Sequence, residues 1–458
     1  MPDGWGGGVA ALAVTGVVAR LIDFGYRVAL VRLAGPELVG VFRVIFPIFG
    51  TLSALVGGGI PPAVANLVAR KHKTNDDEGV RRVVQLGLYL TAALGAGMAL
   101  AVMFAARWLA DVVVHEPRVA SGLLAIAPAL AIVPVSSVFR AYFQGTARLV
   151  VPAWSQLVEE LAQVTAGLGL VYLMAPRGPA AIVAAMGASV TMSELAGLMV
   201  MQAAYRLPPA AASWGDDFSY ILRFALPMTA SRVLGSISGS VSALLVPARL
   251  TKQGYTHSAA MSLYGQLTGM AGTVASFPVT ISFAVVYAMV PQVAASASSP
   301  RRRAKAALER AIGLTAMVAL PAMVVMTLAA RPLMKLFFGD TAGSQLLVIL
   351  ALASPMSHLD MVMTSALQAL GKPGVAFRNF LLGEALNLGG IWLCTGRPQW
   401  GVAGVALAGA VATAVEAVFD YMAVNRVIGR RVSLAGALRP AAYAAGLGLL
   451  LVFWRLWS

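Results

Sequence analysis

Apolar runs of about 20 residues follow one another along the whole chain, and that is the length a helix needs to cross about 30 Å of hydrocarbon. Short polar turns separate them. The pattern predicts thirteen spans, at about 9–31, 41–68, 83–105, 120–142, 151–174, 180–203, 219–247, 262–294, 308–329, 343–369, 375–395, 401–424 and 434–456. Pro47, Pro61 and Pro62 in the second and Pro278 and Pro291 in the eighth predict kinks or breaks in those two.

Composition narrows the class. Of 458 residues, 59% are hydrophobic and 12% charged, against roughly 25% charged in an average soluble protein; mean hydropathy is +0.79. The 46 glycines and 24 prolines fit membrane helices, where neighbouring helices and water-lined cavities satisfy freed backbone groups. A net charge of +15 would point to nucleic acid in a soluble protein, but here the basic residues lie in short loops, where they set topology and meet anionic lipid headgroups. Loops taken alternately carry about 20 Lys and Arg on one side and about 10 on the other, which puts the N-terminus in the cytoplasm. Thirteen spans would then leave Ser458 outside. The segment after Met1 lacks a basic region and runs into a span containing Arg20, Asp23 and Arg27, so no cleavable signal is expected. The lone Cys394 excludes a disulfide within the chain and a cysteine-based zinc site.

The chain reads as duplicated. RAYFQGTARLVVPAWSQLVEELAQ at 140–163 returns as LQALGKPGVAFRNFLLGEAL at 367–386, with the same order of apolar helix, Gln, Gly-containing basic turn, apolar helix and Glu. VMFAARWLADVV at 102–113 corresponds to VMTLAARPLMKLFF at 325–338, and Pro128 to Pro355. The expected fold is therefore an all-α polytopic membrane protein, with two six-helix lobes related by a parallel repeat and one or two extra C-terminal helices. By residue number the lobes are 1–207 and 219–425, joined by a linker at 208–218 that includes Pro208, Pro209 and Gly215, with an additional helix in 426–458. Internal repeats of this kind belong to transporters, and in them the substrate path lies between the halves.

Charged groups within spans cost roughly 2.5 to 3.5 kcal/mol at a helix centre, so they mark functional paths. Arg20, Asp23 and Arg27 are spaced by three and four, near one helical face. Two readings compete: a cationic wall for an anionic headgroup such as a diphosphate, or an ion pair in which Asp23 neutralises one arginine while the other snorkels to the interface. The excess of arginine favours the first. Arg232 in span seven is a counterpart in the second half, and Arg43 a weaker candidate. Glu194, Asp360 and Glu416 lie deep enough to be a coupling site for a proton or sodium, while Glu160 and Glu384, at matching repeat positions, are expected to pair with nearby basic turns such as Arg148 and Arg378. His72, His115, His257 and His358 are scattered, and the glycine runs at 6–8 and 57–59 lack the Gly-Lys-Ser/Thr of a phosphate loop, so no enzyme and no metal site is expected.

GVVARLIDFGYRVALVRLAGPELVGVFRVIFPI, GGGIPPAVANLVA, FRAYFQGTARLVVPAWSQLVEELAQV and LYGQLTGMAGTVASFPVTISFAVVYAMVPQVA together resemble the stage V sporulation protein B family of polysaccharide-type exporters. That family lies in the multidrug/oligosaccharidyl-lipid/polysaccharide flippase superfamily, with multidrug extruders and lipid II flippases. The resemblance implies a two-lobed flippase of the bacterial cytoplasmic membrane that moves an undecaprenyl-diphosphate-linked sugar, a lipid II-like peptidoglycan precursor or polysaccharide unit, by alternating access. It places the headgroup on Arg20 and more loosely Arg27, with the prenyl tail in lipid. Its energy would come from Na+, H+ or the membrane potential. The chain departs from that pattern at Asp23, where a small residue is usual, at Arg43, where a neutral polar one is common, and in having one clear span after the twelve-helix core. Two alternatives remain open: a cation-coupled multidrug antiporter of the same fold, whose cavity would be dominated by acids, and a non-transporting membrane scaffold for cell-wall or spore-coat assembly.

Overall fold

A computed structural model describes residues 4–206, 215–295, 301–395, 397 and 399–457, which among themselves form helices and no strands. Helix α1, Gly4–Gly57, covers the first predicted span and part of the second. The loop expected between them shrinks to one break, at Gly35, with φ 80° and ψ 160°. Gly58 and Gly59 end this helix, and α2, Ile60–Lys73, starts with Pro61 and Pro62 in its first turn, where the missing N–H would be unpaired in any case. The expected break in span two is thus at the glycines. Four basic residues, Arg70 to Lys73, close α2, where they complement the negative end of the helix dipole.

Asp76 caps α3, Asp77–Trp108, which ends in a π-helical turn, Leu109–Val114. Then follow α4 (Arg118–Ile126), α5 (Ala129–Gly145), α6 (Val150–Met174), α7 (Pro179–Ala204) and α8 (Gly215–Lys252). Pro128 divides span four into α4 and α5. Span eight comprises α9 (His257–Gly265), a π-helical turn (Gln266–Ala271) and α10 (Gly272–Ala295). The rest are α11 (Arg301–Leu328), α12 (Ala330–Phe338), α13 (Ser344–Ala369), α14 (Pro373–Cys394), α15 (Gly401–Ile428) and α16 (Leu438–Trp457). All thirteen predicted spans fall on helices, and nine helical stretches among the described residues are long and apolar enough to cross a membrane. Large apolar side chains such as Phe104, 88% exposed, cover the outside, as lipid rather than water requires.

The segments at 102–113 and 325–338, expected to correspond, differ in structure. The first continues into the π-helical turn, whereas the second stops at Ala329 and restarts as the amphipathic α12, with Pro332 in its first turn. Pro332 has no N–H to donate and its ring crowds the carbonyl four residues back, which favours a break there.

Two compact units are present, Met1–Leu244 and Leu245–Ser458. Their boundary falls inside α8 and not in the expected 208–218 linker, of which 208–214 lies outside the described residues. The first half of α8 packs within the first unit because Gly58 and Gly59 offer it bare backbone: a Cβ on Gly59 would stand 2.2 Å from the Ala225 carbonyl oxygen. Tyr220 donates a hydrogen bond to Asn66 Oδ1 at 2.9 Å, and Lys71 pairs with Asp217 at 3.3 Å. Val64, Val84, Phe139, Phe143 and Ile221 centre the first unit's core. Leu308, Val362, Leu367 and Val424 centre a core in the second. Against α11 lies the last helix: Gly313 meets Gly436, just ahead of α16, and Gly448 meets Val324. Small residues are what allows helices to approach where hydrophobic burial gives no drive.

Candidate functional site

Within the first unit, α1, α6 and α7 part to leave a cavity of about 220 Å³. Helix α1 lines it with Asp23, Tyr26, Arg27 and Leu30, then, beyond the Gly35 break, with Val39, Phe42, Arg43 and Phe46. Each set has the spacing of one helical face. Glu159, Glu160 and Gln163 enter from α6, and Val190, Ser193 and Glu194 from α7.

The charges are unequally engaged. Arg27 Nε stands 2.9 Å from both carboxylate oxygens of Asp23. Glu159 Oε1 accepts from Arg140 Nη2 at 3.0 Å and from the Ser155 hydroxyl at 2.9 Å. Its chain runs so close to α7 that a Cβ on Gly197 would come within 2.0 Å of it. Gln163 bridges Ser189 and Ser193 of α7, accepting from the Ser193 hydroxyl at 2.7 Å. Glu160 and Glu194 make no hydrogen bond and no ion pair.

Of the residues singled out in the sequence, Asp23, Arg27 and Glu194 come together in this cavity. Arg20 is exposed on the preceding turn of α1, and its charge reaches Glu160. Arg232 is exposed on α8 and does not line the cavity. Counted on α1 alone, arginine exceeds acid, but α6 and α7 contribute three carboxylates, so the lining holds four carboxylates and two guanidiniums. Asp23 and Arg27 pair at 2.9 Å. Glu160 faces this cavity rather than the basic turn at Arg148. Its i, i+3 spacing to Gln163 is the only sequence signal of a shared face.

Asp360 and Glu416 lie in the second unit, with a different partner set. Asp420 of α15 is fully buried, and accepts from Asn379 Nδ2 at 2.6 Å and from the Thr364 hydroxyl. Its charge acts on Asp360 and on Glu416, and that of Glu384 on Glu416. Glu384 accepts from Asn387 Nδ2 at 3.3 Å. These acids come from α13, α14 and α15, and Asp420 is the best anchored of them. Among the described residues no three His, Cys, Asp or Glu side chains converge as a metal site.

The model of the polysaccharide biosynthesis protein family matches residues 6–297. Stage V sporulation protein B of Bacillus subtilis (strain 168) is 26% identical over 412 residues, covering 88% of this chain and 80% of that protein. Sporulation protein YkvU of the same organism is 22% identical over 352 residues, covering 75% and 77%. Among solved structures, the lipid II flippase MurJ in an inward closed conformation superposes with a TM-score of 0.75 at 13% identity, over 97% of this chain and 92% of that one. An inward-facing multidrug resistance MATE family transporter of the MOP superfamily superposes at 0.74 and 14% identity, over 91% and 98%. At such identities the superpositions establish a shared fold.

Proposed function

The chain belongs to the polysaccharide biosynthesis protein family, a family of membrane transporters of the flippase type and not of enzymes, and from there we propose that it translocates an undecaprenyl-diphosphate-linked sugar across the bacterial cytoplasmic membrane. The substrate is a lipid II-like peptidoglycan precursor or a polysaccharide unit, and the N-terminus is cytoplasmic. The observation that carries this reading is the arginine along α1: Arg27 and Arg43 in the cavity wall and Arg20 one turn away. Guanidinium forks match phosphate oxygens two at a time. The sugar and diphosphate enter the protein while the prenyl tail stays in lipid, and the two lobes alternate access. Arg232, exposed on α8, meets the headgroup only on its way in.

Uphill transport needs a second ion or the membrane potential, worth about 2.3 kcal/mol per charge for 100 mV. A coupling proton belongs to Asp360 and Glu416 around the fixed Asp420. Glu194 belongs to the first unit.

The four acids of the first unit's cavity favour a second reading, export of an organic cation by the same fold. Both are tested in one liposome preparation, with a fluorescent lipid II analogue on one arm and a cationic dye on the other. Flipping by wild type that is lost in Arg20→Ala and Arg27→Ala supports the first. Dye transport that survives those changes, without lipid flipping, replaces it by the second; transport of neither, under any gradient or potential, leaves a membrane scaffold.

A further inference from the structure

In the cavity of the first unit, most charges cancel in pairs: Arg27 with Asp23 and Arg140 with Glu159. Glu160 and Glu194 make no ion pair; the charges of Arg20 and Arg27 reach Glu160. The guanidinium whose charge reaches Glu194 is that of Arg140, already engaged at 3.0 Å by Glu159. A carboxylate left uncompensated inside a membrane protein is costly, and a cation that binds there recovers the cost. A second feature points the same way. Tyr26, 6% exposed, lines this cavity, and its buried hydroxyl, beside Ser189 and Gln163, has no hydrogen bond of good geometry.

Size and shape select the kind of cation. The cavity's 220 Å³ is many times the roughly 10 to 15 Å³ that one water needs, so a bare monovalent ion leaves it mostly empty. Three of its walls are aromatic: Tyr26, and Phe42 set edge-on to Phe46 with ring centroids 5.3 Å apart. Aromatic faces attract organic cations and stack on the apolar faces of sugar rings.

We infer that this cavity recognises an amine-bearing sugar, its ammonium held between Glu194 and Glu160 and its ring against Tyr26 and Phe42. This rests on the flippase reading for its biological setting, since it makes the transported unit zwitterionic: diphosphate toward the arginines of α1, ammonium toward α6 and α7. Binding itself does not require transport.

The test is saturation-transfer NMR on the full chain in lipid nanodiscs at pH 7 and constant ionic strength, with glucosamine and N-acetylglucosamine as probes. They share a ring and differ in charge. Glucosamine is expected to bind at least 10-fold more tightly than N-acetylglucosamine, and to lose at least 10-fold in Glu194→Gln and in Glu160→Gln. Phe42→Leu should weaken it several-fold. Sodium should displace it no better than potassium does. Equal binding of the two sugars would overturn the proposal in favour of a neutral sugar site, and selective displacement by sodium would overturn it in favour of a coupling-ion site. Absence of glucosamine binding would also overturn it. The comparison of the two sugars uses wild type alone, so a variant that fails to fold does not remove the test. Glucosamine binding together with absent lipid II flipping would reject the flippase reading and leave the ammonium site standing; flipping without glucosamine binding would do the reverse.

Discussion

The Asp23–Arg27 pair separates a binding role from a structural one, because the two predict different behaviour of the double variant. Arg27 Nε is 2.9 Å from each Asp23 oxygen, and the side chains are 33% and 23% exposed. That places the pair between exposed ones, worth about 0 to 1 kcal/mol, and buried ones, whose truncation costs about 3 to 5 kcal/mol. Arg27→Ala and Asp23→Ala should each destabilise by about 2 kcal/mol, mostly by stranding the other charge. The double variant should cost about 1 kcal/mol less than the two together. Thermal unfolding of the purified variants in one detergent measures this cycle, and flipping of the lipid II analogue in matched liposomes measures its functional half. Flipping should fall with Arg27→Ala and stay low in the double variant, because removing Asp23 cannot replace a guanidinium on the diphosphate. Stability changes that add within about 0.5 kcal/mol would show that no pair is formed. Flipping restored in the double variant would refute substrate binding by Arg27 and leave it a structural partner of Asp23.

Gly59→Ala should destabilise by about 1 to 3 kcal/mol, since the new Cβ stands 2.2 Å from a backbone oxygen where ordinary contact begins at 3.4 Å; Gly97→Ala, with nothing within 4 Å, should be neutral or stabilising by up to about 1 kcal/mol. Melting temperatures of the two alanine variants, ranked against wild type, check both. Asp76→Ala should cost about 1 kcal/mol by uncapping α3, whose Gly79 N–H donates to Asp76 Oδ1 at 2.8 Å. That hydrogen bond, with Lys71 and Arg82 nearby, holds the Asp76 carboxyl below the usual range. Its contribution is therefore full at neutral pH and lost as pH falls through the lowered value, so melts of variant and wild type should converge below about pH 4. Arg118 binds both oxygens of Glu116 at 2.7 and 2.9 Å and Glu37 at 2.7 Å. With Glu116 only 3% exposed, Arg118→Ala should cost about 3 kcal/mol or more, and Arg118→Lys should recover only part, having no planar fork for a bidentate bond.

Helix positions were legible because run length and hydropathy report directly on a bilayer crossing. Breaks were less so. Pro134, Pro321 and Pro355 stay inside helices, whereas the break that shapes the cavity, at Gly35, fell in what reads as a loop. On α1 the grouping of Asp23 with Arg27 was visible, since i, i+4 neighbours need only helical periodicity. The sign of the cavity was not: Glu159, Glu160 and Glu194 reach it from helices whose packing on α1 depends on Gly167 beneath Tyr26, where a Cβ would meet the ring hydroxyl at 2.5 Å. Asp420 was one acid among several in the sequence, and only its hydrogen bonds from Thr364 and Asn379 set it apart.

The Gly35 break explains why a single helix can build so much of the cavity. Asp23 and Val39, Tyr26 and Phe42, Arg27 and Arg43, and Leu30 and Phe46 are each sixteen residues apart. In an unbroken helix of 3.6 residues per turn, that separation turns a side chain by about 160°, so the second stripe would point away from the first. One residue at φ 80° and ψ 160° re-aims it, and both stripes face the same space. Glycine takes that conformation freely, while another residue is disfavoured by about 1 to 2 kcal/mol. Pro36 steers the residue before it away from the helical region. Phe42, Phe46 and Arg43 therefore hang from a different helical segment than Tyr26 and the Asp23–Arg27 pair do. Gly35 and Pro36 belong to the site although neither touches the cavity.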